Sequence, residues 1–156
     1  MKKLLLIAAV AVFGFTATAQ AEFRVGINGG IPVGDADLFS SFAGTLDVDY
    51  DWEVSETFTV GAATGLGYYF GKDGGDGFKY LPIVASADVN ISDEVSAGAN
   101  VGYAVSLETN GGGDFTWRIQ VRYEISENVD VQGVYDNISG NGITFSFAGV
   151  GVGFKF

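Results

Sequence analysis

Apolar and non-apolar positions alternate with a period of two along most of this chain, most regularly near its end. From Ala148 onward, Ala148, Val150, Val152, Phe154 and Phe156 take every second place, with Gly149, Gly151, Gly153 and Lys155 between them. Such a period belongs to a β-strand with one greasy face and one small or polar face. Seven further segments of the same kind are bounded by turn residues. Eight strands are therefore predicted, at about residues 22–31, 41–53, 57–70, 78–90, 95–108, 115–125, 129–138 and 143–156. A strand that crosses a bilayer needs about 9–11 residues with its apolar face turned to lipid, and each segment is long enough.

The connections fall into two kinds. Three repeat one pattern, Val54-Ser55-Glu56, Ile91-Ser92-Asp93 and Ile125-Ser126-Glu127, at spacings of 37 and 34 residues. The other four, Pro32–Ser40, Gly71–Gly77, Thr109–Asp114 and Ser139–Gly142, are rich in Gly and Asp and vary in length. Tight turns that alternate with looser loops predict an all-β, eight-stranded, antiparallel up-and-down barrel crossing a membrane, with turns at one rim and loops at the other. The last strand then closes against the first, Gly149–Phe156 beside Glu22–Ile31, leaving no sheet edge.

One face of every strand is apolar and, apart from Lys79, free of charge. The second strand offers Leu46, Val48, Tyr50 and Trp52, and the sixth Phe115, Trp117, Ile119, Val121, Tyr123 and Ile125. Lys79 is the one basic residue in this register, and it sits at a loop end, where the cost of a cation on the lipid face fades from the roughly 2–4 kcal/mol of the midplane. Large aromatics collect at both ends: Phe23, Trp52, Phe58, Tyr123, Phe154 and Phe156 near the turns, Phe42, Tyr68, Phe70, Phe115, Trp117 and Tyr135 near the loops. Two such girdles suit a body held between two membrane interfaces.

The opposite face carries the charge. Asp47, Asp49, Asp51 and Glu53 alternate on the second strand, and Arg118, Gln120, Arg122 and Glu124 on the sixth. These two strands stand across an eight-stranded barrel from each other. Asp51 and Arg122 each precede their turn serine by four residues, Asp47 and Arg118 by eight, and Asp88 precedes Ser92 by four. A lumenal ion-pair network of Asp47, Asp51, Asp88, Arg118, Arg122 and Glu124 is expected, with Asp51 or Asp88 as the partner of Arg122. Strands three, five and eight put Gly61, Gly65, Gly67, Gly98, Gly102, Gly149, Gly151 and Gly153 on the same face, which leaves room for long guanidinium side chains. A barrel of eight strands is just wide enough for its own side chains to fill it. The charges are therefore read as a plug and not a pore.

Composition adds the compartment. The chain opens Met-Lys-Lys, runs apolar from Leu4 to Phe15 apart from Gly14, and continues with the small residues Thr16–Ala21. This is a signal peptide over residues 1–21, cleaved after Ala19 or Ala21 and too short to span a membrane, followed by one domain over 22–156. Loss of Lys2 and Lys3 takes the formal charge from −11 to −13, which excludes nucleic acid as a partner. Cys and His are both absent, so thiol and His-dependent chemistry are absent too. Asp47 and Asp49 alternate in a narrow tube without evident access for a substrate, so no catalytic residue is assigned. The loop Gly71–Gly77 lacks the spaced ligands of a calcium loop, and Leu66 and Asp73 stand where a phosphate-binding loop needs Gly and Ser or Thr. No cofactor or metal site is expected. The sequons Asn90-Ile91-Ser92 and Asn137-Ile138-Ser139 are assigned no role.

The span 22–156 resembles the small eight-stranded outer-membrane β-barrel family of the OmpA/OmpX type, on its signal peptide, strand count, turn–loop alternation and terminal Phe156. It departs from the OmpA type in having no periplasmic domain after the barrel, and its loops are shorter than those of adhesive members. The resemblance implies Sec export, an outer membrane of the Gram-negative type, outer-membrane lipids and lipopolysaccharide around a monomer, and periplasmic chaperones and the barrel-assembly machinery during biogenesis. It also makes Phe154 and Phe156 the assembly signal. Barrel-shaped enzymes of that membrane rely on His. The expected role is therefore non-enzymatic, structural or surface-interacting. A narrow channel for ions or small solutes is the alternative, and a soluble exported barrel that binds an apolar ligand is the third reading.

Overall fold

The computed structural model describes residues 21–108, 111–140 and 142–156. Residues 1–20, and with them nearly all of the expected signal peptide, lie outside the described residues. Eight strands, β1 (Ala21–Val33), β2 (Ser40–Ser55), β3 (Phe58–Gly71), β4 (Phe78–Asn90), β5 (Val95–Ser106), β6 (Gly113–Ser126), β7 (Val129–Ser139) and β8 (Thr144–Lys155), follow one another around a closed antiparallel barrel. Closure joins β8 to β1 from Arg24↔Lys155 to Val33↔Ser146. The main-chain N–H of Phe156 donates to the Phe23 carbonyl at 2.8 Å, one step beyond the ladder. Every strand thus has two neighbours, which satisfies backbone groups that would otherwise face hydrocarbon at several kcal/mol each.

The turns at one rim are tight, and two of them are braced by their own serines. Ser92 Oγ accepts from the Glu94 and Val95 N–H groups at 3.3 and 3.1 Å, and Ser55 Oγ from Thr57 N–H at 3.3 Å. The loop rim departs from expectation in two places. Strand β1 runs on through Pro32, expected in a loop; Pro32 is buried and stands opposite Phe147 at the β1–β8 seam. The chain then makes one helical turn, α1 (Ala36–Phe39), whose Ala36 is fully buried. Lys72, from the 3-10 turn Lys72–Gly74, pairs with Asp37 and holds α1 against the β3–β4 connection. Within β4, Pro82 has no N–H to give the ladder. Pairing with β3 is interrupted between Thr64↔Ile83 and Gly67↔Tyr80, and the Thr64 hydroxyl donates to the Pro82 carbonyl at 2.8 Å.

The outside of the barrel is apolar. Ile27, Leu46, Ile83, Val101, Ile119, Val121 and Val150 are all exposed, an arrangement that water would oppose and lipid favours. The aromatic residues form pairs at both ends of the belt. Phe42 faces Phe70 with ring centroids 5.8 Å apart and Trp117 faces Tyr135 at 5.6 Å near the loops; Tyr50 meets Trp52 edge-on at 4.8 Å and Phe23 lies 6.2 Å from Phe156 near the turns.

Candidate functional site: the barrel interior

Alternation sends every second residue inward, and the interior sorts itself by height. Toward the loop rim, Tyr69, Tyr80, Phe147, Ile138, Ala43, Ala104 and Val134 form an apolar layer, with Phe78 and Phe145 packed on it and Ala36 of α1 buried in the same cluster. Phe78 stacks on Phe145 at 4.9 Å, and Tyr69 meets Phe145 edge-on at 5.4 Å. The Tyr80 ring occupies the space over Gly67 that any Cβ would fill.

Below this layer, all three arginines of the chain, Arg24, Arg118 and Arg122, are buried, and each stands between two aspartates. Arg118 lies 2.5 Å from Asp47 and 2.6 Å from Asp136. Arg24 donates through Nε and Nη2 to both oxygens of Asp130, at 2.7 and 2.6 Å, and through Nη1 to Asp49 at 3.0 Å. Arg122 Nη1 lies 3.2 Å from Asp88 and 3.9 Å from Asp51. Ionised side chains leave water only when paired and hydrogen-bonded, and neutral groups complete the pairing. Asn28 donates to Asp47 at 2.6 Å, Ser86 to Asp51 at 3.1 Å and Gln120 to Asp88 at 3.2 Å. Gln132 donates to Asn28 at 2.6 Å and accepts from Arg122 at 3.4 Å, which ties the upper ionic layer to the lower one.

Strand register decides which partners can meet. Arg24 stands opposite Asp49 on β1–β2, and Arg118 opposite Asp136 on β6–β7. The second partners of Arg24 and Arg118 are farther away, and neither partner of Arg122 stands opposite it; glycines make room for the Arg24 guanidinium and the Asp88 carboxylate. Gly153 of β8 lies between β1 and Asp130 of β7, and a Cβ there would overlap the Arg24 guanidinium. Gly98 of β5 lies between Asp88 of β4 and Gln120 of β6, and a Cβ there would overlap the Asp88 carboxylate. Asp47 reaches Arg118 directly across the lumen.

Among the residues expected to form the network, Asp47, Asp51, Asp88, Arg118 and Arg122 are brought together inside the barrel. Glu124 is not: it is partly exposed at the turn-end mouth and pairs with Lys155, which also lies 3.6 Å from Glu22. The expected set omits Arg24, Asp130 and Asp136 and gives Asp49 no partner. Parity holds the signal for all of them, since Phe23 and Val25 face outward around Arg24, as do Val129, Val131 and Tyr135 around Asp130 and Asp136. Phe154 and Phe156 project to the outside at the turn end, Phe156 being 78% exposed.

No protein-family model matches the sequence, and no curated protein is recognisably similar to it in sequence. The fold does have solved counterparts. The Yersinia pestis outer membrane protein Ail in a phospholipid bilayer nanodisc is 14% identical, with 88% of this chain and 99% of Ail covered at a TM-score of 0.63. Neisserial surface protein A is 16% identical over 88% and 99% of the two chains, at 0.56. The outer membrane enzyme PagL is 15% identical over 84% and 98%, at 0.57. The likeness is one of fold: this chain is built as a small eight-stranded transmembrane β-barrel, without a further domain in its described residues.

Proposed function

We propose that the chain is a non-enzymatic, integral outer-membrane barrel with a structural or surface-interaction role and a lumen that does not conduct. The observation that carries this reading is the filled interior: three Asp–Arg–Asp triads beneath an aromatic layer, inside a wall whose outer face is apolar. Outer-membrane placement is supported by the bacterial outer-membrane proteins that share the fold. In this orientation the turns, the start of β1 and the end of β8 face the periplasm and the loops face outward. Export through Sec, chaperone escort, recognition of Phe154 and Phe156 by the barrel-assembly machinery, and a monomer embedded in phospholipid and lipopolysaccharide belong to the same reading. PagL has this fold and is an enzyme, so fold does not decide catalysis. The non-enzymatic reading is supported by the lack of His and Cys, and by lumenal aspartates that are committed to arginines.

Planar-bilayer recording tests the proposal. The purified, refolded barrel, identified by its heat-modifiable migration, is expected to insert without giving steps of conductance. Regular unitary steps from the parent chain would replace this reading with the channel.

A further inference from the structure

Lys79 stands apart from the other cations of the barrel. Among the described residues, aspartates hold Arg24, Arg118 and Arg122 in the lumen, Asp37 holds Lys72 and Glu124 holds Lys155, and Lys79 alone is left without a carboxylate partner. It is exposed on the lipid face, at the loop end of β4. An interfacial lysine commonly extends past the apolar belt into water. Here the ammonium is laid over the girdle instead: Lys79 Nζ lies 5.5 Å from the centre of the ring of Tyr68, its cross-strand neighbour on β3, within reach of a cation–π contact. Tyr68 in turn meets Phe70 edge-on at 4.4 Å. Its hydroxyl lies over Gly77, where a Cβ would overlap it. The ammonium and the hydroxyl thus both stand at the loop edge of the belt, where hydrocarbon gives way to headgroups.

Charge and position together select the partner. A lysine ammonium without a carboxylate is complemented by a phosphate, which it binds as a point charge. Anions dissolved in water are opposed by the loop rim, where Asp35, Asp37, Asp73, Asp76 and Glu108 are all exposed. A phosphate carried on acyl chains comes from the lipid side instead. Toward the midplane from Lys79 the outward face continues as Leu81 and Ile83 of β4, opposite Val105 and Tyr103 of β5, an apolar bed continuous with the rest of the belt. We infer that Lys79, laid over Tyr68, binds the phosphate of an anionic lipid in the loop-side leaflet, with the acyl chains of that lipid along β4 and β5. The site deepens the membrane placement proposed above and rests on it.

In the test, the folded, detergent-solubilised chain is offered equal amounts of dioleoyl phosphatidic acid and dioleoyl phosphatidylcholine, and native mass spectrometry reads the lipid it keeps. One phosphatidic acid per chain should be retained, preferred over phosphatidylcholine by about tenfold, the worth of one charge-assisted contact. Lys79→Gln should abolish the preference and Lys79→Arg should keep it. Lys72→Gln, at the same rim but paired with Asp37, should leave it unchanged. These side chains are exposed, so each variant should still migrate as a folded barrel. Folding of the parent into vesicles is read separately and tests the placement itself: a chain that does not insert overturns placement and site together. The site alone is overturned if an inserting chain holds the two lipids alike, if the preference survives in Lys79→Gln or falls as far in Lys72→Gln, or if soluble glycerol phosphate at equal concentration displaces the lipid.

Discussion

Gly153→Ala adds one methyl to a strand residue that faces the lumen. Its three nearest neighbours would all be atoms of the Arg24 guanidinium, at overlapping distances. That guanidinium cannot swing aside freely, because three hydrogen bonds of 2.6–3.0 Å fix it between Asp130 and Asp49. Displacing it leaves two aspartates buried at 0% and 2% exposure without their cation. Breaking a buried pair on one side costs about 3–5 kcal/mol. With a urea slope of about 2 kcal/mol per M, ordinary for a small domain, the midpoint should fall by about 2 M. Gly133→Ala is the control, on the neighbouring strand: this glycine is exposed, and a Cβ there meets nothing within 4 Å. It should hold the midpoint or raise it by less than about 0.5 M. Urea titration in lipid vesicles, followed by heat-modifiable migration, reads both. In the double variant Arg24→Ala/Gly153→Ala the methyl has nothing left to displace, so it should match Arg24→Ala alone. Equal midpoints for Gly153→Ala and Gly133→Ala would show that the methyl does not displace Arg24, and a double variant less stable than Arg24→Ala would show that the loss has another source.

Other perturbations test other parts of the account. Arg122→Ala strips the cation from Asp88 and Asp51 and should lower the urea midpoint by an amount corresponding to about 3–5 kcal/mol, while Lys72→Ala, which removes an exposed pair with Asp37, should cost no more than about 1 kcal/mol; equal losses would show that the buried network does not hold the barrel. Ile119→Lys places a cation at mid-strand on the lipid face and should cost about 2–4 kcal/mol in a bilayer, an effect that a soluble barrel would not show. A chain ending at Lys155 loses one outward aromatic and should refold in micelles with modest impairment but reach the outer membrane of cells poorly; normal insertion in cells would remove the assembly role of Phe156.

Much of this architecture is legible in the sequence because a transmembrane barrel writes its two faces in strict alternation. The eight segments, the three serine turns and the β1–β8 closure follow from parity and turn chemistry alone, and counting from the turn serines places Arg118 and Arg122 at the heights of Asp47 and Asp51. The loop rim is less legible. Tyr69, Tyr80 and Phe147 share the parity of the charged residues, but an aromatic near a strand end reads equally as part of a girdle, and only closure brings the three together. Pro32 and α1 escape for a related reason: a proline next to Gly and Asp signals a loop, while the seam beside Phe147 keeps it in a strand. Glu124 has the right parity but lies beyond the last full layer, where Lys155 from the neighbouring closure meets it first.

The apolar face of the barrel lies in lipid, and the two tryptophans report on it from opposite ends. Trp52 faces outward near the turns and Trp117 near the loops, each within an aromatic pair. Fluorescence quenching of the chain folded into vesicles, with Trp52→Phe and Trp117→Phe isolating each residue, measures contact with lipid directly. Both tryptophans should be quenched by lipids brominated high on the acyl chain and shielded from aqueous iodide. Two tryptophans quenched freely by iodide and indifferent to brominated lipid would contradict that placement in lipid.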